Sequence, residues 1–157
     1  MYPSLIKTIG VISSAGGVWG VILMFSLFFN PTISGLAGMV LVPLALVFFI
    51  FGIWSGIQTL RQKGNWFWLT LWFWVAQIPM FVSPVISYVL SCGAAVWLYL
   101  GKSGPGFDAG TTAFIGSGFN WTYGMGKPLM HIGVNLLAIA VVVVLFVSHR
   151  QNKKNEA

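Results

Sequence analysis

Acidic side chains are almost missing from this chain: Asp108 and Glu156 are its only carboxylates. Neither falls inside a long apolar stretch. Proton-coupled pumps keep an ionisable group within the membrane as a relay, and magnesium-dependent transferases cluster aspartates around their metal. Both classes are excluded. Cysteine is as scarce: Cys92 stands alone, which excludes an intramolecular disulfide and any multi-cysteine metal or iron–sulfur centre. The two histidines, His131 and His149, read onto one final helix roughly 27 Å apart along its axis, too far to share a haem or a metal ion. No cofactor is expected. Charged residues of either sign make up only 6% of the chain, against roughly 25% in globular proteins.

Apolar residues fill the space, at 57% of the sequence. They fall in four blocks, about 8–29, 35–60, 66–100 and 129–148. The fold class this predicts is an all-α membrane protein with a small β element. It has four transmembrane helices, at about 8–29, 35–60, 66–82 and 129–148, and an extracytoplasmic β-hairpin or small sheet at about 85–123. The whole chain, 1–157, reads as one integral membrane domain. Within it, 85–127 forms an extracytoplasmic segment and 149–157 a flexible cytoplasmic tail. The first block is too long for the apolar core of a cleaved signal, so it is expected to be a retained span.

The net charge of +6 follows the spans, not a nucleic-acid patch. Lys7, the Arg61/Lys63 pair and the Arg150, Lys153 and Lys154 tail flank apolar blocks, as the positive-inside bias produces. No nucleic-acid partner is expected. Four crossings then place both termini in the cytoplasm, with Lys102, Asp108 and Lys127 outside.

Small residues mark the helix faces. Gly16 and Gly20 lie four apart in the first span, and Gly52 and Gly56 in the second. Such spacing lets two helix backbones approach closely, either within the chain or across a homodimer. Asn30-Pro31 ends the first span, and Pro43 predicts a kink in the second. Trp66, Phe67 and Trp68 suit the headgroup boundary beside Arg61 and Lys63. Thr70 and Gln77, seven apart, fall on one face of a third helix as candidate hydrogen-bonding groups.

The third block is too long for one crossing: as a single helix, Trp66–Leu100 would reach roughly 52 Å, against ~30 Å of hydrocarbon. Pro79 and Pro84 mark the break. Beyond them Ile86, Tyr88, Leu90, Cys92, Ala94, Val96, Leu98 and Leu100 alternate with smaller or more polar residues, a period-two signal. Gly101–Gly106 reads as a turn, and Ala113–Tyr123 alternates again. A bent helix over 84–100 competes, because Ser83, Ser87 and Ser91 recur every four residues. The hairpin is preferred because it leaves the third span at a normal length.

Catalytic constellations are thin. Ser117 sits between Gly116 and Gly118, without the outer glycines of a nucleophile elbow, and reads as a tight turn or bulge. His131 and Asn135, read as helical neighbours four apart, are candidates for a polar contact or a ligand or pore site. Asn120-Trp121-Thr122 matches a glycosylation sequon, which matters only in a eukaryotic secretory pathway. Small four-span multidrug exporters resemble the chain in span count, but they depend on a glutamate in the first span that is lacking here. The run Gln77-Ile78-Pro79, Ser83-Pro84, Ser87-Tyr88, Gly116-Ser117 and Gly133-Val134-Asn135 resembles a group of small bacterial inner-membrane proteins of uncharacterised function, over about residues 77–138. That resemblance implies a bacterial cytoplasmic membrane and an extracytoplasmic β segment before the last helix, and no activity. The expected function is non-enzymatic: a scaffold or accessory subunit whose partners are the lipid bilayer and itself or another membrane protein. The alternative is an oligomeric pore or carrier lined by Thr70, Gln77, His131 and Asn135.

Overall fold

In a computed structural model of the chain, residues 3–28, 36–84, 86–103, 106–123 and 129–155 are described. Asn30-Pro31, read as the end of the first span, Lys127 and Glu156 lie outside them. Two long helices come first: α1 (Pro3–Phe28) and α2 (Leu36–Arg61), of 26 residues each. Both are long and apolar enough to cross a membrane. α2 continues through Pro43.

Glycines bring the two backbones together. A Cβ on Gly56 would lie 2.7 Å from the Gly10 carbonyl oxygen, and one on Gly17 would lie 2.7 Å from that of Phe49. Neither distance leaves room for a methyl group, so the helices meet main chain to main chain.

The third and fourth spans differ from the expectation. α3 covers only Trp66–Val75, 10 residues, and the expected helix to 82 stops there. Pro79 disfavours helical geometry in Ile78, the residue before it, and Ala76–Ile78 form a turn. The chain then enters strand β1 (Pro79–Val82). Similarly, the expected helix from 129 begins as strand β6 (Leu129–Asn135), and only then becomes α4 (Leu136–Asn155). α4 takes in most of the stretch read as a flexible tail. Among the described residues, two of the four expected transmembrane helices have the length and apolarity to span.

Between β1 and β6 lie β2 (Ile86–Ser91), β3 (Ala94–Ser103), β4 (Gly106–Ile115) and β5 (Gly118–Tyr123). The bent-helix alternative for 84–100 is therefore replaced by two strands, and the hairpin or small sheet expected at about 85–123 is four strands, β2 to β5, of a six-stranded sheet that β1 and β6 complete. The six form one antiparallel sheet in the order β4-β3-β6-β1-β2-β5. The glycine-rich stretch 101–106, read as a turn, lies mostly within β3 and β4. The period-two rows were legible; the pairing of β1 and β6 was not, because both sit in blocks that also suit a helix.

Two short connectors curl the sheet. Flat, six strands would hold β4 and β5 roughly 24 Å apart. Yet Gly116 and Ser117 alone join them, and three Cα steps reach at most roughly 11 Å. Cys92-Gly93 likewise joins β2 to β3 across the width of β1 and β6. Both connectors lie at the helix end of the sheet, and the Gly116 N–H donates to the Gly93 carbonyl at 2.9 Å. Gly93 (φ 89°) and Gly116 (φ 129°) hold positive φ that L side chains rarely adopt. The sheet is thus a cup, drawn together at its base and open at the far end.

Candidate functional site

The cup rests on a knot of buried polar groups. Ser13 of α1 donates to Ile9 O at 2.9 Å and receives the Trp74 indole N–H at 3.0 Å. Gln77 donates its amide to Phe73 O at 3.2 Å, and its Oε1 accepts the Cys92 N–H at 2.7 Å. Ser117 donates to Gly16 O at 2.5 Å and accepts the Gly93 N–H at 3.3 Å. Ser13, Trp74, Gln77 and Cys92 have no exposed surface at all. In so apolar a setting each unpaired polar atom would cost about 1–3 kcal/mol, so the network fixes the base of the cup on α1 and α3.

Above the knot the concave face is built by alternation across paired strands. Gly110 and Gly133 flank Tyr99 in register, and Gly101 lies between Asp108 and His131. Tyr99, Asp108 and His131 are thus each placed opposite glycine. A Cβ on Gly101 would lie 1.7 Å from the His131 ring, and one on Gly110 2.6 Å from the Tyr99 hydroxyl. The floor of the concave face is a cavity of about 380 Å3 lined by Met80, Trp97, Tyr99 and Phe114, with Ser91 and Thr112 as its polar members. Trp97 is 4% exposed. Toward the mouth, His131 Nε2 stands 3.9 Å from Asp108 Oδ2, and its ring lies 5.4 Å from Tyr99.

The sequence-selected residues are dispersed over this frame. Thr70 is buried beside Thr59, hydroxyl against hydroxyl, and also donates to Trp66 O at 2.8 Å. Gln77 lies beyond the end of α3, in the knot. His131 and Asn135 share a face, but of strand β6 and not of a helix, so four residues separate them by roughly 13 Å. Asn135 caps α4: its Oδ1 accepts the N–H groups of Leu137 at 3.1 Å and Ala138 at 3.3 Å, and also that of Val96 at 3.1 Å. His149 belongs to α4 and stacks on Phe67 at 4.1 Å. No continuous polar row joins Thr70, Gln77, His131 and Asn135.

The four glycines of the two small-residue pairs are covered within the chain. Gly16 abuts the Gly93 backbone, Gly20 the Phe49 ring, Gly52 the Phe73 ring and Gly56 the Gly10 carbonyl.

Sequence reading did not place Ser13, Trp74, Trp97, Tyr99 or Asp108 at a site. Glycines at Gly101, Gly110 and Gly133 were the available signal, since inside strands they mark close approach of neighbouring groups. Cys92 and Ser117 were noted but not as partners in one network.

The class defined by this architecture is a pair of apolar, membrane-length helices carrying a curled antiparallel sheet on two shorter helices. No family model matches the chain, and no curated protein or solved structure is significantly similar to it.

Proposed function

We propose that this chain is a non-enzymatic, membrane-integral binding subunit of a bacterial inner membrane, whose cup holds the apolar part of a small molecule. The cavity carries the reading. Its volume of about 380 Å3 falls in the range of small-molecule sites, and its aromatic lining with a few hydroxyls is typical of them. An aromatic or acyl group with one hydrogen-bonding head matches that chemistry. Beneath the cavity the fully buried Trp74, Gln77 and Cys92 favour a closed receptacle over a conduit through one chain.

The charge distribution supports four crossings with both termini in the cytoplasm. Lys7, Arg61, Lys63 and Arg150 gather at the end of the molecule where Gly10 meets Leu60 and Phe67 meets His149. Lys102 and Asp108 lie at the other end, by the open mouth of the sheet. Because the small-residue faces are filled internally, an accessory role rests on the cup and the surface of the sheet.

Native mass spectrometry of the protein extracted gently from its own membrane tests this. A retained small-molecule mass is expected on the unsubstituted chain and absent from Gly118→Leu, which fills the cavity. A bare chain, or the same adduct on both proteins, overturns the reading.

A further inference from the structure

The outward face of the sheet presents Val96, Leu98 and Leu100 of β3 beside Ile132 and Val134 of β6, with Ile115 at the base of β4. Each is 36–91% exposed. A water-facing patch this continuous is unusual in a soluble domain. We infer that lipid acyl chains cover it: the lower part of the sheet stands inside the outer leaflet, and the third and fourth crossings are each half helix and half strand. This rests on the membrane-integral reading above, and deepens it.

Depth is fixed by the long helices. The Gly93 and Ser117 connectors touch Ile12 and Gly16 of α1, and α1 continues roughly 18 Å beyond Gly16 to Phe28. Along α2, Cys92 lies beside Gly52, with its Sγ 3.7 Å from a Cβ placed there. Farther up, in β2, Tyr88 and Leu90 share a cleft with Leu44 and Phe48. The base of the sheet therefore lies level with the middle of both membrane-length helices, and β2 climbs alongside the upper half of α2. α3, at 10 residues, spans only roughly 15 Å, half the hydrocarbon thickness. β1 continues from it upward, as β6 descends into α4.

Chemistry changes at the matching height. Lys102 is the first charged residue on the outward face of β3. Eight residues above Ala94, in a strand tilted as in small barrels, it stands roughly 19 Å above the base, near the headgroup region. Hydrocarbon also forbids open sheet edges. The Gly116-Ser117 connector draws β4 and β5 together at the deepest point, where an open edge would be least tolerable.

Nitroxide labels on single cysteines introduced at Leu98, Ile115, Lys102 and Val47 test the inference in vesicles of phosphatidylethanolamine and phosphatidylglycerol. The buried Cys92 stays unlabelled, which the unsubstituted chain verifies. Val47 of α2, 64% exposed, reports on membrane integration. Oxygen should collide with labels at Leu98 and Ile115 as it does at Val47, and a nickel chelate should be excluded from them. The oxygen-to-nickel collision ratio should be several-fold higher there than at Lys102. Nickel access at Leu98 with exclusion at Val47 overturns the inference and leaves the membrane reading standing. Nickel access at both overturns both. Low collision with both reagents at Leu98 means that protein, a second copy or another chain, covers the face, and this also overturns it.

Discussion

The Ser117 hydroxyl donates to the Gly16 carbonyl at 2.5 Å, tying the tightest connector of the sheet to the middle of the first helix. The partners are 101 positions apart in sequence. A buried carbonyl already engaged in a helix accepts a second bond here because glycine leaves its flank open. The same missing side chain lets the Gly93 backbone approach.

Gly16→Ala tests that contact. Its Cβ would fall 2.3 Å from Gly93 N and 2.6 Å from Gly93 Cα, both main-chain atoms that cannot swing aside. Overpacking of this kind costs about 1–3 kcal/mol, so thermal unfolding in detergent should drop by several degrees. Gly106→Ala, where nothing lies within 4 Å, should match the parent protein.

Asn135→Ala should rank among the most damaging polar substitutions. It removes the acceptor for Val96, Leu137 and Ala138 at once. Loss of a helix cap costs about 0.5–2 kcal/mol, and each buried N–H left without a partner adds about 1–3 kcal/mol. Asn135→Ser, which keeps a capping oxygen, should recover part of the loss in the same unfolding assay.

Gly101→Ala should be rescued by a second change. Its Cβ would overlap the His131 ring at 1.7 Å. Removing that ring with His131→Ala relieves this overlap but not the 2.5 Å approach to Met130 O. The double variant should therefore be more stable than Gly101→Ala alone, and a double-mutant cycle should give a coupling of about 1 kcal/mol or more.

Cys92 offers a probe of opening. It is fully buried between α1 and the base of the cup, and it is the sole thiol. A membrane-permeant maleimide should leave it unmodified in native membranes and label it completely in denaturing detergent. Ser117→Ala, which frees the connector from Gly16, should speed native labelling; an unchanged rate would show that the tie does not hold the base shut.

The amino-acid order alone placed the apolar blocks, the two membrane-length helices, and the period-two strands around Ile86–Leu100 and Ala113–Tyr123. These follow from local pattern: block length, glycine and proline positions, and alternation are properties of neighbouring residues. Local pattern failed at Pro79–Val82 and Leu129–Asn135. Short apolar runs there fit a helix and a strand equally well. Pairing decides them: β1 and β6 hydrogen-bond to each other, β1 to β2 and β6 to β3, and no residue within either run records those partners. Tertiary structure also assigned Gln77 and Asn135 their tasks, because a buried amide is used by whichever backbone arrives beside it. Gly16, Gly20, Gly52 and Gly56 were legible as contact points. Only the fold decided that their neighbours are Gly93, Phe49, Phe73 and Gly10 of the same chain, since a missing side chain specifies close approach and leaves open what approaches.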